Sequence, residues 1–245
     1  MDSQQPPSFD VRLDDPTETL VIGTAEYGLA GLTATDYLTK QLELEEAGHI
    51  RVDGLPAITP FDNGTPRRHT RLFSRSDLDL TVLVGELPIP PFAAASFADA
   101  IADHAAEYGT EEIVILSGVP FPHGPDDHRP FYIATESYRE SRLEGIDAVS
   151  PMAGGFLEGI NAELMDRALD GSIPVCVLTT PVHALAPDIE AALRLLEITD
   201  QIYGFDLDTE PLEAFAENIS QQYEKLAARL ETERKEHVAD DRMYM

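Results

Sequence analysis

Short, almost unbroken apolar runs recur along the chain: LVIG at residues 20–23, LTVLVG at 80–85, IVILSG at 113–118 and IPVCVL at 173–178. Runs of four to eight apolar residues bounded by glycine or proline read as strands buried on both faces. Between them lie longer segments with apolar residues at helical spacing. GLAGLTATDYLTKQLELEEAG carries Leu32, Tyr37, Leu38 and Leu42, with Gly48 as its stop. FAAASFADAIADHAAEYG is alanine-rich, and GGFLEGINAELMDRALDG follows two glycines. APDIEAALRLLEITDQIYG has Pro187 and Asp188 at its start and Gly204 at its end. HIRVDGLPAITPFDNGTPRRHTRLFS alternates in short pieces around Asp62-Asn63-Gly64 and predicts strands with a hairpin. Strands alternating with helices predict an α/β protein: a three-layer α/β/α sandwich with a mostly parallel sheet. Residues 1–16, polar with three prolines and four aspartates, read as disordered. A single domain spans 17–230, and 231–245 form a solvated tail.

The last helical segment has its own pattern. Leu212, Phe215, Ile219, Tyr223, Leu226 and Leu230 are spaced by three or four residues, one apolar stripe along a long C-terminal helix. The stripe can dock on the protein's own body or form a seam with a second subunit. Beyond Leu230, twelve residues hold only Val238 and Ala239 as apolar positions, so a mobile tail is expected. It finishes on Met243, Tyr244 and Met245, a cluster that stands out against so charged an approach.

Charge changes the picture of the solvent. The 245 residues carry 45 acids and 17 bases, a net charge of −28, and only three lysines. At about 1 M salt the Debye length shrinks to about 3 Å and such self-repulsion is screened. The composition is that of a protein adapted to molar salt. The same field repels nucleic acid and anionic lipid, so neither is expected as a partner. No apolar run approaches the roughly 20 residues of a membrane span, and the acidic N-terminus lacks the apolar core of a secretory signal. A cytoplasmic location is expected. Cys176, alone of its kind, reads as a small core residue.

Candidate chemistry is sparse. Gly23, Gly28 and Gly31 follow a strand and precede a helix, but they match neither G-x-G-x-x-G nor a P-loop, and a tight turn with close helix packing accounts for them. Gly154 and Gly155 are expected to open a helix, where bare N–H groups could hold an anion. Ser117 precedes Gly118 at a strand end, with no local base. His123, Asp126, Asp127 and His128 share a proline-rich loop that reads as a turn rather than a metal site; no metal and no cofactor is expected. Arg67, Arg68, Arg71 and Arg75 form a basic cluster, suited to ion pairs along a hairpin or to an anionic partner.

The order of these segments resembles the proteasome assembly chaperone family, of the second-chaperone type, in its archaeal branch. The likeness is carried by LVIGTAEYGLAGLTATDYL, by GGFLEGINAELMDRALDGSIPVCVLTTPV, by PDIEAALRLLEI and by PLEAFAENI, and covers roughly residues 17–225. The resemblance implies a phosphorylase-like α/β/α fold, assembly into homo-oligomers, and ATP-independent, non-enzymatic handling of proteasome core-particle subunits. Met243-Tyr244-Met245 is similar to the hydrophobic–tyrosine–any motif with which assembly factors and activators dock on the core. It implies a terminal carboxylate paired with a lysine between adjacent α-subunits, with Tyr244 packed at the pocket wall and Met243 buried beside it. The alternative is a small-molecule enzyme on a nucleoside-phosphorylase-like fold, with its site near Gly23 or Gly154.

Overall fold

The computed structural model describes residues 6–14, 16–120, 128–183 and 187–214. The apolar runs become the centre of one sheet. β2 (Thr19–Thr24), β7 (Leu80–Gly85), β8 (Glu112–Val119) and β11 (Val175–Pro181) lie parallel in the order β7-β2-β8-β11. Every residue of β2 and β7 is buried, as their unbroken hydrophobicity requires of strands covered on both faces. Antiparallel strands extend both margins. β6 (Thr70–Arg75), β3 (Glu45–Asp53) and β1 (Ser8–Leu13) continue beyond β7. β9 (Phe131–Ala134) lies antiparallel to β11, and the two-residue β10 (Ser150–Pro151) closes the nine-stranded order. The parallel expectation therefore holds for the centre and not for the margins. A separate hairpin joins β4 (Phe61–Asp62) to β5 (Thr65–Pro66). Its turn residues Asn63 (φ 47°) and Gly64 (φ 80°) both take the left-handed conformation that an Asn-Gly turn favours.

Helices cover the sheet in pairs. α2 (Ala94–Tyr108) packs with α4 (Gly159–Asp170), and α1 (Ala30–Gln41) with α5 (Ile189–Tyr203). A short helical segment, α3 (Glu136–Tyr138), follows β9. Leu20, Ile22, Leu83, Ile113, Ile115, Val175 and Val177 form one core with Phe97 and Ile101 of α2 and Ile160 and Leu164 of α4. The alternate residues point the other way, and there Gly23 meets Gly31 and Thr35 of α1. A Cβ on Gly31 would stand 1.9 Å from the Leu116 carbonyl oxygen, so the glycines of the β2–α1 region serve close packing. α5 starts on Asp188, whose Oδ1 accepts from the Ala191 amide at 2.9 Å, and stops at Gly204 with φ 69°. Cys176 is fully buried in β11, and burial pushes its thiol pKa up.

Three expectations change. Residues 8–13 are not disordered: Phe9, Val11 and Leu13 alternate with polar residues and pack on the core, and Phe9 meets the Phe97 ring edge-on at 5.3 Å. Gly48 is not a helix stop. α1 ends at Gln41, and Gly48 lies inside β3 at a register shift, where a Cβ would strike the Arg12 carbonyl. Gly154 and Gly155 do not open α4, which begins at Gly159. The chain divides into compact units at Leu207/Asp208, just after Gly204 ends α5. Of the second unit, residues 210–214 are helical and Thr209 Oγ1 donates to Glu213 Oε1 at 2.7 Å.

Candidate functional site

Parallel strands collect their following loops at one edge. β2 leads through α1 toward the β3–β6–β7 side, whereas β8 leads toward β9 and β11. Neighbouring strands whose connections leave in opposite directions open a crevice at their C-terminal ends, the usual ligand position in open α/β sheets. Here the crevice is a cavity of about 760 Å³. Its walls include Thr24 at the end of β2, Ser117 and Gly118 of β8, Val177 and Thr179 of β11, and the loop from Gly154 to Glu158.

Three polar side chains meet in this cavity from widely separated points of the chain. Glu26 lies two residues beyond β2, Ser117 is on β8 and Asn161 is in the first turn of α4. Ser117 Oγ donates to Glu26 Oε2 at 2.8 Å. Asn161 Nδ2 donates to the same oxygen at 3.2 Å and to Ser117 Oγ at 3.1 Å. Among the described residues the Asn161 side-chain carbonyl oxygen is fully buried and has no hydrogen-bond partner. Desolvation by burial raises the Glu26 pKa, against the opposing effect of the Ser117 and Asn161 hydrogen bonds. Another Glu shows what a paired carboxylate looks like in this fold. Glu112, at the opposite end of β8, takes two bonds of 2.9 Å from the Arg142 guanidinium and one of 3.0 Å from Thr19. Among the described residues Glu26 has no such cation. Ser117 spends its proton on Glu26 and accepts from Asn161, and it is only 5% exposed. The cluster leaves Ser117 no free hydroxyl, and Glu26 is the charged acceptor it brings to the cavity.

The backbone holds Glu26 in place by an uncommon route. Gly28 (φ 64°) and Leu29 (φ 51°) are successive left-handed residues, and left-handed Leu29 costs on the order of 1 kcal/mol. The Asp188 amide donates to the Gly28 carbonyl at 2.7 Å and ties this turn to the start of α5. Apolar side chains crowd the mouth: Tyr27 lines the cavity at 55% exposed and Phe156 at 99%.

Of the residues singled out from sequence, Ser117, Gly154 and Gly155 come together on this cavity. The base that Ser117 lacked locally is Glu26, 91 residues away in sequence. Gly154 and Gly155 sit on a wall whose charged side chains, among the described residues, are Glu26 and Glu158, both acidic. Glu26 and Asn161 were missed. Only the position of Glu26 just after a parallel strand could have flagged it. Three of the four clustered arginines are consumed internally: Arg67 and Arg71 both reach Glu86, Arg71 at 2.8 Å, and Arg75 pairs with Asp77 at 2.8 Å and the Leu42 carbonyl at 2.6 Å. Among the described residues no cluster of three His, Cys, Asp or Glu could hold a metal, and no helix is long and apolar enough to cross a membrane. His123, Asp126 and Asp127 lie outside the described residues. So do Phe215, Ile219, Tyr223, Leu226, Leu230 and the terminal Met243, Tyr244 and Met245; Leu212 falls in the 210–214 helical turn.

The sheet, its helices and the crevice define an α/β protein with a parallel centre and a cavity at its strand ends. Residues 20–227 match the PAC2 family, and the chain belongs to that family. It is 24% identical over 201 residues to an uncharacterized protein of Methanocaldococcus jannaschii, covering 82% of this chain and 81% of that one. Its fold is similar to that of Pyrococcus furiosus PbaA, described as an archaeal homologue of proteasome-assembly chaperone: TM-score 0.82, 21% identity, 97% of this chain and 100% of PbaA. Pyrococcus furiosus PbaB, described as an archaeal proteasome activator, matches with TM-score 0.78 and 20% identity over 91% of this chain and 99% of PbaB.

Proposed function

We propose that the protein is an ATP-independent, non-enzymatic assembly chaperone or binding factor for the proteasome core particle. In this reading a three-layer, phosphorylase-like body forms a cytoplasmic homo-oligomer and its C-terminal tails dock on the α-ring. The observation that carries it is the sequence Met243-Tyr244-Met245 at the end of a PAC2-family chain whose fold resembles PbaA and PbaB. The chemistry is suited to docking: a carboxylate needs a cation, and a tyrosine supplies contact area with few rotamers to freeze. In molar salt the carboxylate's long-range attraction is screened while apolar burial is not weakened, so Tyr244 and Met243 carry most of the affinity. One buried aromatic with its hydrogen bond is worth about 2–4 kcal/mol, or roughly 30- to 1000-fold. Several tails on one oligomer multiply the effect through effective concentration.

The test is recovery of purified proteasome α-subunits in molar KCl by wild type, by Tyr244→Ala and by a chain with one residue added after Met245. Wild type retains them and both altered forms lose them, with oligomer mass unchanged. Equal recovery by all three refutes tail docking. The cavity around Glu26 favours a second reading, a small-molecule enzyme, whose function would survive removal of residues 243–245.

A further inference from the structure

The cavity at the β2/β8 switch point has its own chemical signature. Asn161 is only 8% exposed, lines the cavity, and has its Nδ2 committed to Glu26 and Ser117. Its orientation follows from those bonds, since an ionised carboxylate can only accept and must face the amide N–H₂. Among the described residues its Oδ1 has no hydrogen-bond donor, but that atom is fully buried and is not exposed to the cavity. Glu26 adds a carboxylate with no cationic partner among the described residues. Around them stand Ile89, Ile133, Met152, Leu157 and Val177. A cavity of about 760 Å³ lies within the range of roughly 300–1,000 Å³ typical of small-molecule sites.

We propose that this cavity binds a small, mostly apolar molecule through a primary ammonium group, which donates to the Glu26 carboxylate while its hydrocarbon part lies against the aliphatic wall. An ammonium answers that need: it donates to the carboxylate, and its charge neutralises a desolvated anion. The rival is an anion. Gly159 and Ile160, in the first turn of α4, line the same cavity, and a helix N-terminus carries about half a positive charge. Against that stand the full charges of Glu26 and Glu158, with no Lys, Arg or His among the described lining residues. The charge balance favours a cation. Glu26 must be ionised to hold it, so the raised pKa makes binding weaken as pH falls through the acidic range.

The probes are hexylammonium, hexanol and hexanoate, each at about 20 mM with the full-length chain at neutral pH and constant molar KCl. Hexylammonium raises the melting temperature by about 2–4 °C and the other two do not. Glu26→Gln weakens the ammonium effect about tenfold or more. On the wild-type chain, the Asn161 side-chain amide NMR signals move on titration with hexylammonium alone, which needs no variant to fold. Hexanoate binding in place of hexylammonium identifies an anion site at α4 and overturns the proposal. So does equal binding of hexanol, unmoved Asn161 signals, or a Glu26→Gln chain that still folds and binds hexylammonium as well as wild type.

Discussion

Replacing Glu26 by Gln should make the protein more stable, although it removes a group with two well-formed hydrogen bonds. Gln keeps the size and an oxygen that can accept from Ser117 Oγ and Asn161 Nδ2, now at 2.8 and 3.2 Å from Glu26 Oε2. What it removes is a charge held away from water without a cation, and desolvation is the leading cause of the raised Glu26 pKa. A net gain of about 1 kcal/mol is reasonable, the desolvation cost being offset in part by the loss of charge-assisted bonds. For a body of about 200 residues that is roughly 2–3 °C in melting temperature. The pH dependence gives a second handle. Because the folded-state pKa lies above the ordinary carboxyl value of about 4.5, the folded protein takes up the Glu26 proton first as pH falls. Wild type therefore gains stability relative to Glu26→Gln between that raised pKa and about 4.5, and the difference between the two closes there. Subtracting the two melting curves, recorded from pH 8 to 4.5 in molar KCl, cancels the titration of the other acids. A variant that melts lower than wild type at pH 8, or a difference that does not change with pH, refutes the account of Glu26 as an unpaired, desolvated carboxylate. A confirmed gain would mark a position where the fold gives up stability, as binding sites commonly do.

Two further predictions concern the frame of the cavity and its solvent. Gly31→Ala improves helix propensity by about 1 kcal/mol, yet places a Cβ 1.9 Å from the Leu116 carbonyl, so the melting temperature should fall by several degrees through a clash of about 2–4 kcal/mol; a rise would show that α1 is free to shift. With a net charge of −28, wild type should melt at higher temperature in 2 M than in about 0.1 M KCl, and an unchanged midpoint would reject adaptation to molar salt.

Much of the fold was legible because its signals are local. Unbroken runs such as LTVLVG can only be buried on both faces, Asn63-Gly64 can readily take two left-handed conformations, and Asp188 and Gly204 bracket α5 within their own turns. The strand at 8–13 was equally local, a period-two pattern of Phe9, Val11 and Leu13 obscured by the polar, proline-rich stretch around it. Gly48 and Gly154 misled because a glycine marks an unusual backbone without saying which one. Gly48 answers to the nearness of Arg12 on another strand, and Gly154 to a loop.

The cavity belongs to the other class. Glu26, Ser117 and Asn161 lie 91 and 44 positions apart in succession, and no spacing rule joins them. They meet because β2 and β8 are neighbours whose connections leave in opposite directions, and because α4 delivers its first turn over the gap. Hydrophobic period, turn chemistry and capping are written in consecutive residues, so the sequence alone determined the central strands, most of the helices and the excess of acidic charge. Which carboxylate has a cation and which has none depends on who stands across the sheet: Arg142 at one end of β8, and no base among the described residues lining the cavity at the other. That is a property of packing, and only the tertiary structure decided it.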